Sequence, residues 1–530
     1  MNTERAERSP TAYPEWTDYR NKGGQDPLGM QNSSVRIYQS LVPGISNVTL
    51  RIRYYGFYAW LAENYARQVG STDPECWKRF LRRAEGLYAL VAARHGGESG
   101  VAGIDWAHRR LAEAAEQTGV DFKADTEPGS DTHYLQQAWG NFGAAYRGQL
   151  FEIGIFDHAD HAIPLPSKSI GEPLALAFSE SLGASADRFL GCMESAKASL
   201  EDLDALRGCL PSQIDPASRE RELYQGLLLG KFEPADSLSA SARRLTLQLL
   251  LRTTALMQKQ PSPEDFRWAL YSGQDRYGNP LVLTDPEETL HRDHWWAYHA
   301  NDLCQLACST ILKFTLDALE RFPTGIPFHQ LISNVLDSLL GELAPTTRSW
   351  SKFVDGLAIA RNPSDVDDPT SEAALASEAI GAGRSDQSSS TPPQAAAAVM
   401  LLGVLHQRVS EDRIDLTAIL GHLNPVGFRS VLSEISYLKA IGHLDLPEAL
   451  HRLIAERILR RHLWVALKKL RYQGDYTFLI ESDGGLLRLR GKDGPTFTNP
   501  RLRPAIHFLR DLHLIDERGL RKFGHETLAQ

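Results

Sequence analysis

From Ser34 to about Arg361, apolar residues recur at three- and four-residue spacing, and strand-like alternation is almost absent. A chain patterned in this way buries its apolar stripes by packing helix against helix. The spacing is clearest over residues 77–94, 173–206, 219–229, 240–257 and 294–322. Breakers fall where those helices should stop, among them Gly96-Gly97, Pro128-Gly129, Pro211 and Gly278-Asn279-Pro280. The prediction is a mostly α fold with a large helical body over residues 34–361.

The flanks read differently. Residues 1–33 are polar and predict a flexible arm. Residues 362–394 contain no aromatic residue and are rich in Ser, Asp, Ala, Gly and Pro. Such a composition predicts a disordered linker, with an Ala-rich helix over 371–380 left open. Residues 395–530 then form a C-terminal region. It opens with a helix from Gln394, followed by a helix-turn-helix-like stretch over 416–440 broken at Asn424-Pro425 and a long helix over 447–472. Residues 476–480 and 486–490 flank Ser482-Asp483-Gly484-Gly485 and read as a β-hairpin. A helix over 500–512 and a short strand, turn and strand or helix complete the region.

Charge is uneven along the chain. Residues 451–530 hold 16 Lys+Arg against 9 Asp+Glu, leaving 41 basic and 57 acidic side chains in the other 450 of the chain's 57 and 66. A basic end on an acidic body points to an anionic partner. The five cysteines, Cys76, Cys192, Cys209, Cys304 and Cys308, include no CxxC pair, and an odd number argues against a disulfide framework. That usage and the polar start suggest a cytoplasmic protein. The longest apolar stretch, 395–405, is too short to span a bilayer, so no membrane partner is expected.

Several chemistries fail on their motifs. GLLLGK at 226–231 is one residue short of a phosphate loop and lacks its Ser/Thr, and there is no HExxH, GxSxG or strand-borne GxGxxG. His291, His294, His299, Cys304 and Cys308 could be read as metal ligands, but no knuckle turn precedes either pair. No metal and no cofactor is therefore expected.

The C-terminal sequence RLRPAIHFLRDLHLIDERGLRKFGHETLA resembles the end of a winged-helix domain, in which an amphipathic helix precedes a strand, a Gly-bearing turn and a returning strand. The resemblance implies DNA binding, with Arg501, Arg503 and Arg510 on the helix and Arg518, Arg521 and Lys522 on the wing neutralising phosphates. Upstream, Arg457, Arg461 and Lys468 would share one face of a continuous helix and form a second phosphate-tracking stripe. In the body, Arg292 and His299 stand seven apart. Arg-x6-His resembles the motif of HEPN-type ribonucleases, which implies a metal-independent RNA cleavage with Arg292 on the phosphate and His299 moving a proton.

Residues 41–67 concentrate aromatic rings and cations. A helix over 48–68 capped by Asn47 would carry an apolar stripe for the core and a neighbouring edge of Arg53, Trp60 and Arg67 able to line a groove. Together these features predict a non-enzymatic, cytoplasmic DNA-associated or scaffold protein working beside partner proteins, with DNA favoured over RNA. The alternative is the HEPN-like ribonuclease. A role in bacterial antiviral defence is suggested by the style of the chain and by no particular residue.

Overall fold

The computed structural model describes residues 26–114, 119–127, 132–157, 163–234, 236–343, 348–384, 388–411, 413–422 and 427–529. It is mostly α, with 62% helix and 5% strand, as the three- and four-residue spacing predicts. Strands occur among the described residues as four antiparallel pairs, each in its own two-stranded sheet. The chain divides into two compact units, one of Met1–Tyr38 with Glu264–Thr498, the other of Gln39–Pro263 with Asn499–Gln530.

The unit containing residue 53 is built around the helices Arg53–Gln68 and Pro74–His95. Tyr54, Phe57, Tyr58, Tyr88 and Tyr146 interlock at its centre, with ring centroids 4.7–6.0 Å apart. Close packing of rings at tilted and edge-on angles favours such a centre beyond its area alone. The predicted cap at Asn47 is not made. Its side chain instead accepts from the Arg501 backbone N–H at 3.0 Å and donates to the Asn499 carbonyl at 2.8 Å. The helix therefore starts later, at Arg53. Gly56 is required on it, because a Cβ there would collide with the Tyr224 hydroxyl.

The same unit takes up the end of the chain. Helix Leu502–Asp511 leads into the two-residue strands Ile515–Asp516 and Gly519–Leu520, and helix Lys522–Ala529 follows. Gln225 donates to Thr527 at 2.9 Å, and the Arg221 guanidinium lies 3.9 Å from the Phe523 ring centre.

The other unit is organised by a 35-residue helix, Pro286–Glu320. Asp285 caps it by accepting from the Glu287 N–H, Pro286 occupies the first turn, and Glu287 and Glu288 complement the positive helix end. It is buried along most of its length. Several charged residues that it buries are paired: Lys313 donates to Asp317 at 2.6 Å, and Asp302 accepts from Thr498 and lies 3.3 Å from Arg267.

Residues 362–394 depart from the prediction of a disordered linker. Ser371 caps the helix Glu372–Ile380, and Ala373, Leu375, Ala376 and Ala379 are buried. This helix packs on Pro286–Glu320 and on Pro392–Ser410. Absence of aromatic rings misled the composition argument, since small alanine faces let helices approach closely and bury area without large side chains. Residues 385–387 lie outside the described residues. The compact units also divide elsewhere than at 362–394, because residues distant in sequence complete each core. The predicted arm is likewise folded where it is described: Leu28 and Met30 are buried, and helix Gln31–Leu41 follows. Residues 1–25, and the break predicted at Asn424-Pro425, lie outside the described residues.

The hairpin forms from Ile480–Asp483 and Leu486–Leu489, with Gly484 and Gly485 both at positive φ. Two successive positive φ values suit the tight turn between twisted strands. Leu487 exchanges backbone hydrogen bonds with Ile326 in the same unit.

Candidate nucleic-acid interface

Helix Arg460–Gln473 reads RRHLWVALKKLRYQ and ends at Gly474, whose φ of 70° closes it. His462, Val465 and Ala466 face inward and are buried. Trp464, Leu467 and Tyr472 are 45%, 49% and 71% exposed, and Arg460, Lys468 and Arg471 are exposed beside them. Offsets of three and four residues place Trp464, Leu467, Lys468, Arg471 and Tyr472 on one face. Large apolar side chains are normally withdrawn from water, so three on one basic face is an uncommon arrangement.

The helix is held by the loop before helix Gln31–Leu41. Arg461 Nε donates to the Leu28 carbonyl at 2.7 Å, and Lys469 Nζ to the Asp26 carbonyl at 3.3 Å. His462 accepts from the Leu479 N–H through Nε2 at 2.9 Å, so its Nδ1 carries the proton that faces the Pro27 carbonyl at 3.3 Å. Burial pushes this imidazole down to about 4, which keeps it neutral. Between helix and loop lies a cleft of about 210 Å³ lined by Asn32, Phe428, Arg461, Trp464, Lys468, Lys469 and Tyr472.

The cations of this cleft are held in buried surroundings, and the charges of Asp26 and Glu434 offset burial only in part at Arg461. Burial pulls the Arg461 guanidinium down to about 10, and neighbouring Arg429 adds to the effect. Burial also lowers Lys469 and Arg429. Arg461 and Lys468 lie against the Trp464 ring, 4.4 and 5.2 Å from its centre. A cation whose charged form burial disfavours is stabilised by an anion that enters beside it.

The predicted phosphate contacts are distributed differently from the sequence expectation. Arg457 is turned away from the stripe. It makes two hydrogen bonds to buried Glu434, at 2.8 and 2.6 Å, and stacks on Tyr437. It sits within a π-helical segment, Leu453–Leu459, which leads into the basic helix and breaks the four-residue register on which the single face depended. Arg461 and Lys468 remain together in the cleft. Arg501, Arg503, Arg510, Arg518, Arg521 and Lys522 belong to the other unit. Arg501 is tied to the Val42 carbonyl at 3.2 Å, Arg521 pairs with Asp516 at 3.3 Å and Lys522 with Glu526 at 3.8 Å, while Arg503, Arg510 and Arg518 are exposed.

Of the edge predicted on the aromatic segment, Arg53 is buried. It pairs with Glu220 and donates to the Gly208 and Leu210 carbonyls at 2.6 Å each. Trp60 and Arg67 do line a hollow of about 390 Å³, but Glu63 and Glu172 share it and Arg67 pairs with Glu63 at 2.7 Å. Arg292 is half-buried and pairs with its neighbour Asp293, whereas His299 is fully enclosed by Trp268, Tyr271 and Phe497. Burial holds His299 well below its usual range, and neither ring nitrogen has a hydrogen-bond partner among the described residues. An imidazole so placed has no route to a substrate hydroxyl, as proton transfer requires. Among the described residues, no three His, Cys, Asp or Glu side chains are grouped as metal ligands. No helix among them is long and apolar enough to cross a membrane.

Sequence reasoning missed Trp464, Leu467 and Tyr472, although their spacing with Lys468 and Arg471 was available to find them. Asn32 and Phe428 carried no such signal, being brought to the cleft from far along the chain. Comparison with protein-family models, curated proteins and solved structures gives no match. The class defined by the fold is thus a two-unit, mostly α-helical protein bearing a basic, aromatic cleft in one unit.

Proposed function

We propose that the protein is a DNA-associated scaffold that holds a phosphodiester strand along helix Arg460–Gln473. The observation that carries this reading is the joining of Arg461, Lys468 and Lys469 with exposed Trp464 and Tyr472 in one cleft. Cations tracking phosphates beside rings able to stack on bases is the chemistry of sequence-tolerant strand binding. Buried arginine and lysine whose charge burial already disfavours would gain from a phosphate more than a solvated pair would. The exposed arginines Arg503, Arg510 and Arg518 support a further sequence-independent contribution. Five free thiols fit a reducing, cytoplasmic setting in which the protein works beside partner proteins.

The test is fluorescence anisotropy of labelled DNA with the full chain, titrated over salt. Binding should weaken steeply with salt, and Lys468→Gln should flatten the slope of log K against log salt by about one. No binding at low salt, or a slope unchanged by Lys468→Gln, would overturn the proposal.

A further inference from the structure

The unit that carries the basic helix contains a second hollow, of about 300 Å³, which shares no lining residue with the first. Four arginines reach it from separate parts of the chain: Arg292 from the 35-residue helix, Arg361 from the loop after helix Trp350–Asp355, and Arg408 and Arg413 from the end of helix Pro392–Ser410 and just beyond. Glu411 is the carboxylate among the lining residues.

These guanidinium groups are arranged from behind. Arg408 donates through Nε to Glu372 at 2.8 Å and through Nη2 to the Ala360 carbonyl at 3.0 Å. Glu372 is fully buried and also accepts from the Tyr271 hydroxyl at 3.3 Å, so Arg408 is fixed in orientation rather than mobile. Arg292 pairs through Nη2 with Asp293 at 2.9 Å. Arg413 pairs with Glu411 at 3.0 Å. Arg361 is exposed and forms no ion pair among the described residues. Four guanidinium groups thus face three carboxylates, Asp293, Glu372 and Glu411, which leaves one positive charge uncompensated. Each pairing uses part of a five-donor fork, and the remaining N–H groups stay available.

One wall is aromatic, with little ring surface open to it: Tyr271 is 4% and Trp296 9% exposed. The rings of Tyr271 and Trp296 stack with centroids 5.2 Å apart and planes 12° apart, and both line the hollow. Converging guanidinium forks match the several oxygens of a phosphate better than a single carboxylate, and the volume suits a small molecule rather than a chain.

We infer that this hollow binds a mononucleotide, with its phosphate on Arg292, Arg361 and Arg408 and its base beside the Tyr271–Trp296 wall. This site is independent of strand binding at the basic helix. Arg408 supplies an oriented donor pair, Arg361 supplies the unmatched charge, and the aromatic wall distinguishes a nucleotide from bare phosphate.

The experiment is titration calorimetry of the full chain at constant ionic strength with AMP, GMP, CMP and UMP in turn, then with adenosine and inorganic pyrophosphate. At least one nucleotide should bind one to one, with adenosine and pyrophosphate each at least tenfold weaker than the best of them. Arg361→Gln should weaken that nucleotide tenfold or more without lowering the melting temperature, and Arg413→Gln less so, while Lys468→Gln should leave it unchanged. The inference is overturned if none of the four nucleotides binds, if adenosine or pyrophosphate binds as well as the best nucleotide, or if Arg361→Gln binds like the natural protein. Loss of nucleotide binding in Lys468→Gln would move the ligand to the basic helix and would likewise overturn it.

Discussion

Helices Arg53–Gln68 and Arg460–Gln473 share the same ingredients, aromatic rings interleaved with cations, and use them in opposite ways. In the first, every ring from Tyr54 to Trp60 is withdrawn from water and Arg53 meets Glu220 in the interior. In the second, Trp464 and Tyr472 stand in solvent, and the buried residues are Arg461, His462, Val465 and Ala466, none of them an aromatic of the Tyr, Phe or Trp kind. The difference lies in what surrounds each helix. Arg53 is hydrogen-bonded to a carboxylate and two carbonyls, whereas Arg461 is hydrogen-bonded to one carbonyl, and Glu434 and Asp26 act on it through charge alone against the nearby charge of Arg429. Ring and cation content therefore does not by itself mark a binding surface; the matching of buried charge does.

The sharpest way to break this contrast is Arg53→Ala. Leaving Glu220 buried with only the Tyr224 hydroxyl at 3.0 Å should cost about 3–5 kcal/mol of folding stability, measured by denaturant unfolding, with DNA affinity of the remaining folded protein unchanged. A loss below about 1 kcal/mol would mean that the first helix is not held by its charge pair.

Next in size is a pH effect at the second helix. His462 is held below its unfolded value of 6.5, at about 4, so the unfolded chain binds the extra proton first. Its contribution is fully present above pH 6.5 and is lost as pH falls toward 4, amounting to at most about 3 kcal/mol. His462→Gln keeps a donor and an acceptor and should flatten unfolding free energy against pH between 6.5 and 4; an unchanged slope would refute the neutral, tautomer-fixed imidazole.

Trp464→Ala tests the exposed face. DNA affinity should fall by about 1–3 kcal/mol by anisotropy, the usual worth of a stacked base, while stability changes little because the ring is half in water. An equal loss in stability would place Trp464 with the rings of the first helix. The smallest effect is expected for Arg67→Gln. Arg67 shares its hollow with two glutamates, so salt-dependent DNA binding should be unaltered, and any change above about twofold would revive that edge as a groove.

The helical class was legible because periodicity is local: residues three and four apart report their own helix. The aromatic segment was legible as core for the same reason. What could not be read was the partner of each charge. Glu220 for Arg53 and Glu434 for Arg457 lie 167 and 23 residues away, and nothing in the sequence near either arginine announces them. The basic end looked like one module because its charges are consecutive, but residues up to 498 and from 499 onward belong to different units. The 362–394 segment was misjudged because alanine carries little hydrophobic signal and still packs. Within the basic helix, spacing alone would have revealed the Trp464–Tyr472 face, while the π-helical turn that removes Arg457 from it leaves no mark in the residues.

Arg51 lies in the second of the two compact units and pairs with Glu98 at 2.7 Å and with Asp511 at 3.0 Å. The second partner follows 460 residues later in the chain. A ribosome making this protein finishes Arg51 long before it makes Asp511, and for that interval a nearly buried guanidinium has only half of its counter-charge. Each unit also waits for a late segment, so neither can be completed in the order in which it is made. Newly synthesised chains should therefore pass through a long-lived, partly assembled stage, and quality-control proteases would meet this protein chiefly then.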